Sequence, residues 1–434
     1  MIKLKNRRRN MKIEKWTLGL AAAGLVTLSP ALLAQTPPAA PQQVPMLTAL
    51  SATTISGYVD TSAVWNPGTG NANPAPYAFN AGKQDGFNLN AVDVKISKPQ
   101  DESGWSAGYT AELSYGPDAK LIDGPNTYPV RQAFVALHMP VGNGIDWQLG
   151  RFDNLLGYES SDSYKNPNYT RSYGYSVEPT EHTGLLGTYK FCDAISLQLG
   201  VANSVTTYDA NTRIGVESKK GYLSLLTLTA PDSWGFLKGS ALYAGFDLGQ
   251  GATPMAGGNR VYNKSEWYVG TTINTPLKDL TFGASFDSIE HLDVNGQDTG
   301  YFAAYAGYMS YKLTDKLTIN GRVEYANGSG LGAMADAANG TTIISSVNPT
   351  PPPATLSTAV NNPMQSVLGL TGTLQYDLWA NVITRLEIRW DHDASGREAV
   401  DGSSAAFGGT GALGAALPDK KNEVMIAANV IYKF

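Results

Sequence analysis

Arg385, Glu387 and Arg389 recur at every second position, with Leu386, Ile388 and Trp390 between and after them. In an extended chain successive side chains point to opposite faces, so the three charges share one face and the apolar residues the other. Arg322 and Glu324 repeat the pattern opposite Ile319, Val323 and Tyr325, and Glu112 sits opposite Ala111, Leu113 and Tyr115. Charged faces of this kind suit a water-filled wall, where they set a transverse field that sorts solutes by sign and dipole. They can equally brace the wall as ion pairs. Enzyme chemistry finds little to work with. None of His138, His182, His291 and His392 stands in a Gly-x-Ser-x-Gly or His-Glu-x-x-His setting. Asp391-His392-Asp393 has metal-ligand types, but it falls where a strand meets a loop and reads as solvated loop. Glu181-His182 opens a strand and reads as a hydrogen-bonded structural pair. No glycine-rich phosphate loop stands out. The expectation is no catalytic residue, no metal and no cofactor.

The elements that must carry those charges are strands. From Thr54 onward no segment reads as an amphipathic helix, and apolar residues recur at every second position. Sixteen segments follow, from 54–65 to 423–434, most near the ~9–11 residues that a tilted strand needs to cross a bilayer. The ninth and tenth are placed at 234–248 and 265–274; the fourth, eighth and twelfth have ambiguous faces. Short turns such as 99–104, 140–144 and 192–194 alternate with long loops at 66–86, 117–129, 153–179, 204–219, 249–264, 291–299, 327–365 and 392–422. A closed even-stranded barrel with both ends in the periplasm requires that alternation, and a soluble sandwich has no reason for it. Trp105, Trp147, Trp234 and Trp379 fall at the turn-side strand ends, and Trp65, Trp267 and Trp390 at the loop-side ends. Tryptophan favours both membrane–water interfaces. The fold class is therefore all-β, a transmembrane antiparallel barrel of about sixteen strands.

The N-terminus sets the compartment. Arg7, Arg8, Arg9, Lys12 and Lys15 precede an apolar run at 18–28, and small residues lead to Ala34. This is the order of a secretory signal, and the run is too short to span a membrane. The expected organisation is a signal peptide at 1–34, a Pro/Ala-rich periplasmic lead-in at 35–53 and a barrel at 54–434. Removing 1–34 takes seven of 32 basic and one of 37 acidic side chains, leaving a net charge of −11. A basic nucleic-acid-binding body is excluded on that balance. Cys192 is the single cysteine, so no internal disulfide forms.

The third long loop, 153–179, carries Tyr158, Glu159, Tyr164, Tyr169, Arg171 and Tyr173. It reads either as a constriction folded into the lumen or as an exposed surface loop, and its tyrosines could also form a stacking track for sugars. The last strand ends on Tyr432 and Phe434, an outward aromatic terminus of the kind that barrel assembly machinery recognises. Gly57-Tyr58-Val59-Asp60, Gly150-Arg151-Phe152-Asp153, Gly157-Tyr158-Glu159, Asn166-Pro167-Asn168-Tyr169-Thr170-Arg171-Ser172 and His182-Thr183-Gly184 resemble the OmpL-like β-barrel porin family, most specifically across 150–190. The resemblance implies a bacterial outer-membrane porin and supplies no catalytic residue and no substrate. The function expected is passive diffusion of small hydrophilic solutes. The alternatives are a solute-selective channel, for saccharides among others, and a non-channel structural or adhesive barrel. The partners expected are outer-membrane lipid, the solutes or ions themselves, the assembly machinery and further copies in a homotrimer, with no nucleic acid.

Overall fold

Sixteen strands close on themselves, because the first pairs with both the second and the last. In chain order they are β1 (Thr54–Trp65), β2 (Gly86–Lys98), β3 (Ser106–Tyr115), β4 (Val130–Met139), β5 (Ile145–Asp153), β6 (Glu181–Cys192), β7 (Ile195–Ala202) and β8 (Gly221–Thr229). There follow β9 (Ala241–Met255), β10 (Gly258–Asn274), β11 (Leu280–Val294), β12 (Phe302–Lys312), β13 (Leu317–Gly328), β14 (Ser366–Trp379), β15 (Val382–Asp393) and β16 (Asn422–Lys433). A two-residue segment, Gln297–Asp298, folds back on β11 alone. Every pairing is antiparallel between neighbours, and closure leaves no free edge. The computed structural model describes residues 52–67, 75, 77–80, 82–83, 85–119, 130–205, 219–255, 258–294, 297–298, 301–328, 366–394 and 421–434. The expected signal peptide, nearly all of the lead-in and most of the loops at 327–365 and 392–422 lie outside them.

Alternation places the two faces in two solvents. Leu149, Leu199, Leu370, Leu374, Leu386, Ile388 and Val430 are outward and exposed, a belt too large and too apolar for water. Asp60, Asp93, Glu112, Asp247, Asp287, Arg322 and Glu387 point inward and are buried. Trp105, Trp234 and Trp379 are exposed at the turn end, and Trp65 at the loop end. No described helix is long and apolar enough to cross a membrane; strands do the crossing.

Three segments depart from the sequence expectation. The ninth strand begins at Ala241, not at 234. Trp234 and Phe236 mimic strand alternation, but after Pro231 the segment Asp232–Leu237 turns in short 3-10 pieces on either side of a kink at Gly235 (φ 61°), so both aromatics sit exposed at the turn end. The loop expected at 249–264 is a hairpin, with β9 and β10 paired as far as Met255 and Gly258. Backbone pairing there outruns the apolar alternation, which stops where the lipid stops. For the same reason β11 continues to Val294, into the loop expected at 291–299. Asp391-His392-Asp393 is likewise strand and not solvated loop: Asp391 is buried inward, and His392 stacks outward on Trp390 at 5.5 Å.

The ambiguous strands have a common cause. In β4 a bulge opposite Glu112 and Leu113 turns both Arg131 and Gln132 inward. In β8, Leu223 and Leu225 are inward and apolar, and in β12 so are Ala304, Ala306 and Tyr308. The inner wall is partly dry because a loop covers it.

Candidate functional site

Loop 3, residues 154–180 between β5 and β6, lies inside the barrel against its wall. Its apolar residues find inward apolar patches. Leu155 packs on Phe152, Leu186 and Leu223, and Leu156 on Leu225 and Tyr268. Tyr164 packs on Tyr58, Ile383 and Ile431, and Tyr169 on Val64 and Met425. Tyr158 lies flat on Tyr308, ring centroids 4.0 Å apart. Gly283 of β11 faces the Tyr158 hydroxyl so closely that a Cβ there would collide with it.

The charged ladder of β13–β15 holds the loop by its backbone. The Glu387 carboxylate accepts from the amides of Tyr169 (2.6 Å) and Thr170 (3.0 Å) and from the Thr170 hydroxyl. Arg322 donates to the carboxylate of Glu159 (2.8 Å) and the carbonyl of Thr170 (2.7 Å). Arg385 donates to the carbonyls of Ser163 and Asn166, and Arg389 to that of Arg171. Glu324 accepts from the Tyr173 amide, whose phenol in turn donates to Asp391 at 2.8 Å. Charge-assisted bonds of this kind are stronger than neutral ones, and a low-dielectric surround strengthens them further.

The opposite wall holds a second anchor. Arg131 of β4, 1 % exposed, bonds Glu112 of β3 and Asp162 of the loop, and reaches Asp153 at 3.0 Å. Burial raises the Asp162 carboxyl, but the Arg131 guanidinium and the Lys165 ammonium, 2.6 Å away, outweigh it and bring it down to about 2. The end of the loop behaves the other way. Burial, with Asp287 and Glu266 of the facing strands, pushes the Glu178 carboxyl well above the ordinary range. The loop between β1 and β2 completes the lining: Tyr77 lies under Arg389, 3.8 Å from guanidinium to ring, and Phe79 and Tyr175 flank Arg171 at 5.4 and 5.5 Å.

The expected pore-lining residues thus divide. Arg322, Glu324, Arg385, Glu387 and Arg389 come together on β13–β15, and Glu112 stands apart beside Arg131. All six point inward and are at most 3 % exposed, facing the loop rather than open solution. The six expected loop residues, Tyr158, Glu159, Tyr164, Tyr169, Arg171 and Tyr173, all lie on the docked loop, and Tyr173 is 0 % exposed. Tyr432 and Phe434 are outward and half exposed, and Phe434 exchanges backbone hydrogen bonds with Gly57. Arg131, Asp162, Glu178 and Tyr77 were not foreseen. Arg131 hid because its bulge breaks period two; the others sit in loops, where spacing carries no facing information. His182 bonds Asn154 and Asp247, each at 3.1 Å, as a structural histidine. No group of three potential metal ligands occurs among the described residues.

A family described as "Putative beta-barrel porin-2, OmpL-like" matches residues 52–434, the whole barrel. The chain belongs to that family. It is an outer-membrane porin, and the closed barrel with its polar interior is the passive diffusion channel of such a protein. No curated protein matches the sequence. Solved structures match in fold. OmpT of Vibrio cholerae, in a trimer form, is 14 % identical with a TM-score of 0.52, covering 88 % of this chain and 99 % of its own. The anion-selective porin of Comamonas acidovorans is 10 % identical with a TM-score of 0.53, over 88 % and 99 %. Salmonella typhi OmpF, in a complex with daunomycin, is 11 % identical with a TM-score of 0.52, over 88 % and 97 %.

Proposed function

We propose that this porin passes small hydrophilic solutes and ions through a lumen narrowed by loop 3. The observation that carries this reading is the two-sided anchoring of the loop: Arg322, Arg385, Glu387 and Arg389 grip one flank and Arg131 the other. A loop held at both flanks defines the free cross-section, whereas a surface loop would not touch the wall at these depths. In this reading the charges of β13–β15 act on solutes through the loop they position. The protein reaches the outer membrane by a signal peptide at 1–34, Tyr432 and Phe434 present the assembly signal, and three copies associate as in the trimer form of Vibrio cholerae OmpT. The test is planar-bilayer recording of the purified chain. Ion conductance is expected, and replacing residues 160–175 by a short Gly/Ser linker should raise single-channel conductance and the size of excluded polyethylene glycol. A barrel without conductance would favour a structural or adhesive role. A linker variant of unchanged conductance would place the constriction elsewhere.

A further inference from the structure

Beneath loop 3, toward the turn end of the barrel, is a chamber of about 650 Å³. Its roof is Tyr158 and Tyr164–Pro167 of the loop, and its walls are the inward faces of β8–β10 and β12–β14. Its composition differs from the lumen around it. Above, carboxylates and guanidiniums crowd one another; here the one charged residue of the lining is Lys165, paired with Asp162, with the Lys433 ammonium 5.7 Å from the Tyr164 ring. The remaining polar groups are hydroxyls and amides: Asn166, Thr272, Ser310, Thr318, Asn320 and Gln375. Four tyrosines join them, Tyr158 and Tyr164 from the loop and Tyr243 and Tyr268 from the wall.

Several rings are held in place. Tyr158 is stacked on Tyr308 at 4.0 Å, with its hydroxyl end against Gly283. Tyr164 is set edge-on to Tyr58 at 5.3 Å. Tyr268 lies along the wall over Gly270, where a side chain would exclude its hydroxyl. Asn320 and Gln375 are oriented too: Asn320 donates to the Pro167 carbonyl and accepts from Ser310, and Gln375 accepts from Arg385. Rings and amides held by the fold lose little entropy when a solute arrives.

A charged solute gains less here than above. The lining itself carries no carboxylate, its one lysine is paired with Asp162, and Asp377 stands behind Gln375. A pyranose gains from both kinds of lining, since its C–H face is apolar and its rim carries hydroxyls that donate and accept. The volume lies within the ~300–1,000 Å³ of ordinary ligand sites, enough for more than one sugar ring.

We propose that this chamber is a binding site for neutral saccharides, a selectivity step built beneath the constriction. The proposal rests on the channel reading for its role in transport, but binding itself is measurable without conductance. The experiment titrates the full-length, detergent-solubilised, folded barrel with maltotriose by calorimetry, with succinate and putrescine as charged counterparts. It then adds maltotriose to the protein in planar bilayers. Saturable millimolar binding of maltotriose, with none of the two charged probes, is expected. The ion current should fall with the same saturation, read as a fraction of each protein's own open current. Tyr243→Leu on the wall and Tyr164→Leu on the loop should each weaken binding about tenfold; having both guards against one failing to fold. Binding without conductance would support the site and overturn the channel. Conductance with no saturable maltotriose binding, tighter binding of succinate or putrescine, or undiminished binding in both folded variants would overturn the proposal and leave the channel standing.

Discussion

Arg322 shows what the lumen charges do at the scale of single residues. Its guanidinium meets Glu159, Glu324 and the carbonyls of Thr170 and Arg171, and its side chain is fully buried. Arg322→Ala therefore takes the guanidinium from buried Glu159 and leaves Glu324 to Arg389 alone, and the expected loss is about 3–5 kcal/mol. A lower temperature of conversion from folded to unfolded gel migration, with noisier single-channel current, is the readout. Arg385 donates to two loop carbonyls, and Arg389 donates to one and pairs with Glu324 and Asp391. Replacing both with Gln keeps a donor and removes two positive charges. The reversal potential in a salt gradient should then move modestly toward cations, and salt should screen the shift. An unchanged potential with intact folding would mean that these residues only position the loop. Asp162 and Glu178 give loop 3 two opposed pH responses. The Asp162 carboxyl lies at about 2 when docked and 3.8 when free, so its contribution is whole above 3.8 and lost as pH falls through 2. Glu178 is raised when docked, so its contribution is whole below the ordinary 4.5 and lost as pH rises toward its raised value. Gating noise should grow at both extremes. Asp162→Asn should make the acid arm disappear and Glu178→Gln the alkaline arm; survival of both arms in the double variant would assign the response elsewhere.

The elements differ in how firmly the membrane dictates them. Trp267 on β10 pairs with Phe246 and Ser288, and the strand continues from there to Gly258 on the loop side. At about 3.3 Å per residue that is a ribbon standing well clear of the lipid. Shortening the hairpin between 250 and 262 should leave barrel yield and heat-modifiable migration unchanged, since the pairing of β9 and β10 below it is kept. β16 is the opposite case. It closes the ladder against β1, its outward Val430, Tyr432 and Phe434 face lipid, and Phe434 bonds Gly57 through its backbone. Phe434→Ser keeps the backbone bonds and removes the aromatic terminus. A several-fold fall in outer-membrane yield is expected, with ordinary conductance in the molecules that do insert. Full yield would show that the terminus carries no assembly signal.

At the scale of the barrel, the described strands form a ring of hydrogen bonds, each strand satisfied on both sides. Opening it exposes two edges in a solvent that cannot satisfy them, so unfolding is all or none and slow in detergent. Boiled and unboiled samples should migrate differently on a denaturing gel, and identical migration would contradict a closed barrel. The interior is a second layer of the same molecule, since loop 3 supplies apolar feet to the wall and the wall supplies charges to the loop. Loss of the loop should therefore lower thermal stability without opening the ring.

Strand number and facing were legible along the chain because each rests on a local rule. Period two puts Leu386 and Arg385 on opposite faces wherever the strand lies, and loop lengths sort by parity only in a closed even barrel. The inward side of Arg322, Glu324, Arg385, Glu387 and Arg389 needed nothing more. Local rules failed where the interior is not water. Leu223, Leu225 and Tyr308 look misplaced for a wet wall and are in place under a loop. Arg131 is invisible to periodicity because a bulge resets its face. How those five charges hold the loop was not a local matter: Glu387 meets the amide of Thr170 across 217 residues of chain. Only closure of the ring brings β5–β6 opposite β13–β15, and only that distance decides that loop 3 can be gripped from both sides.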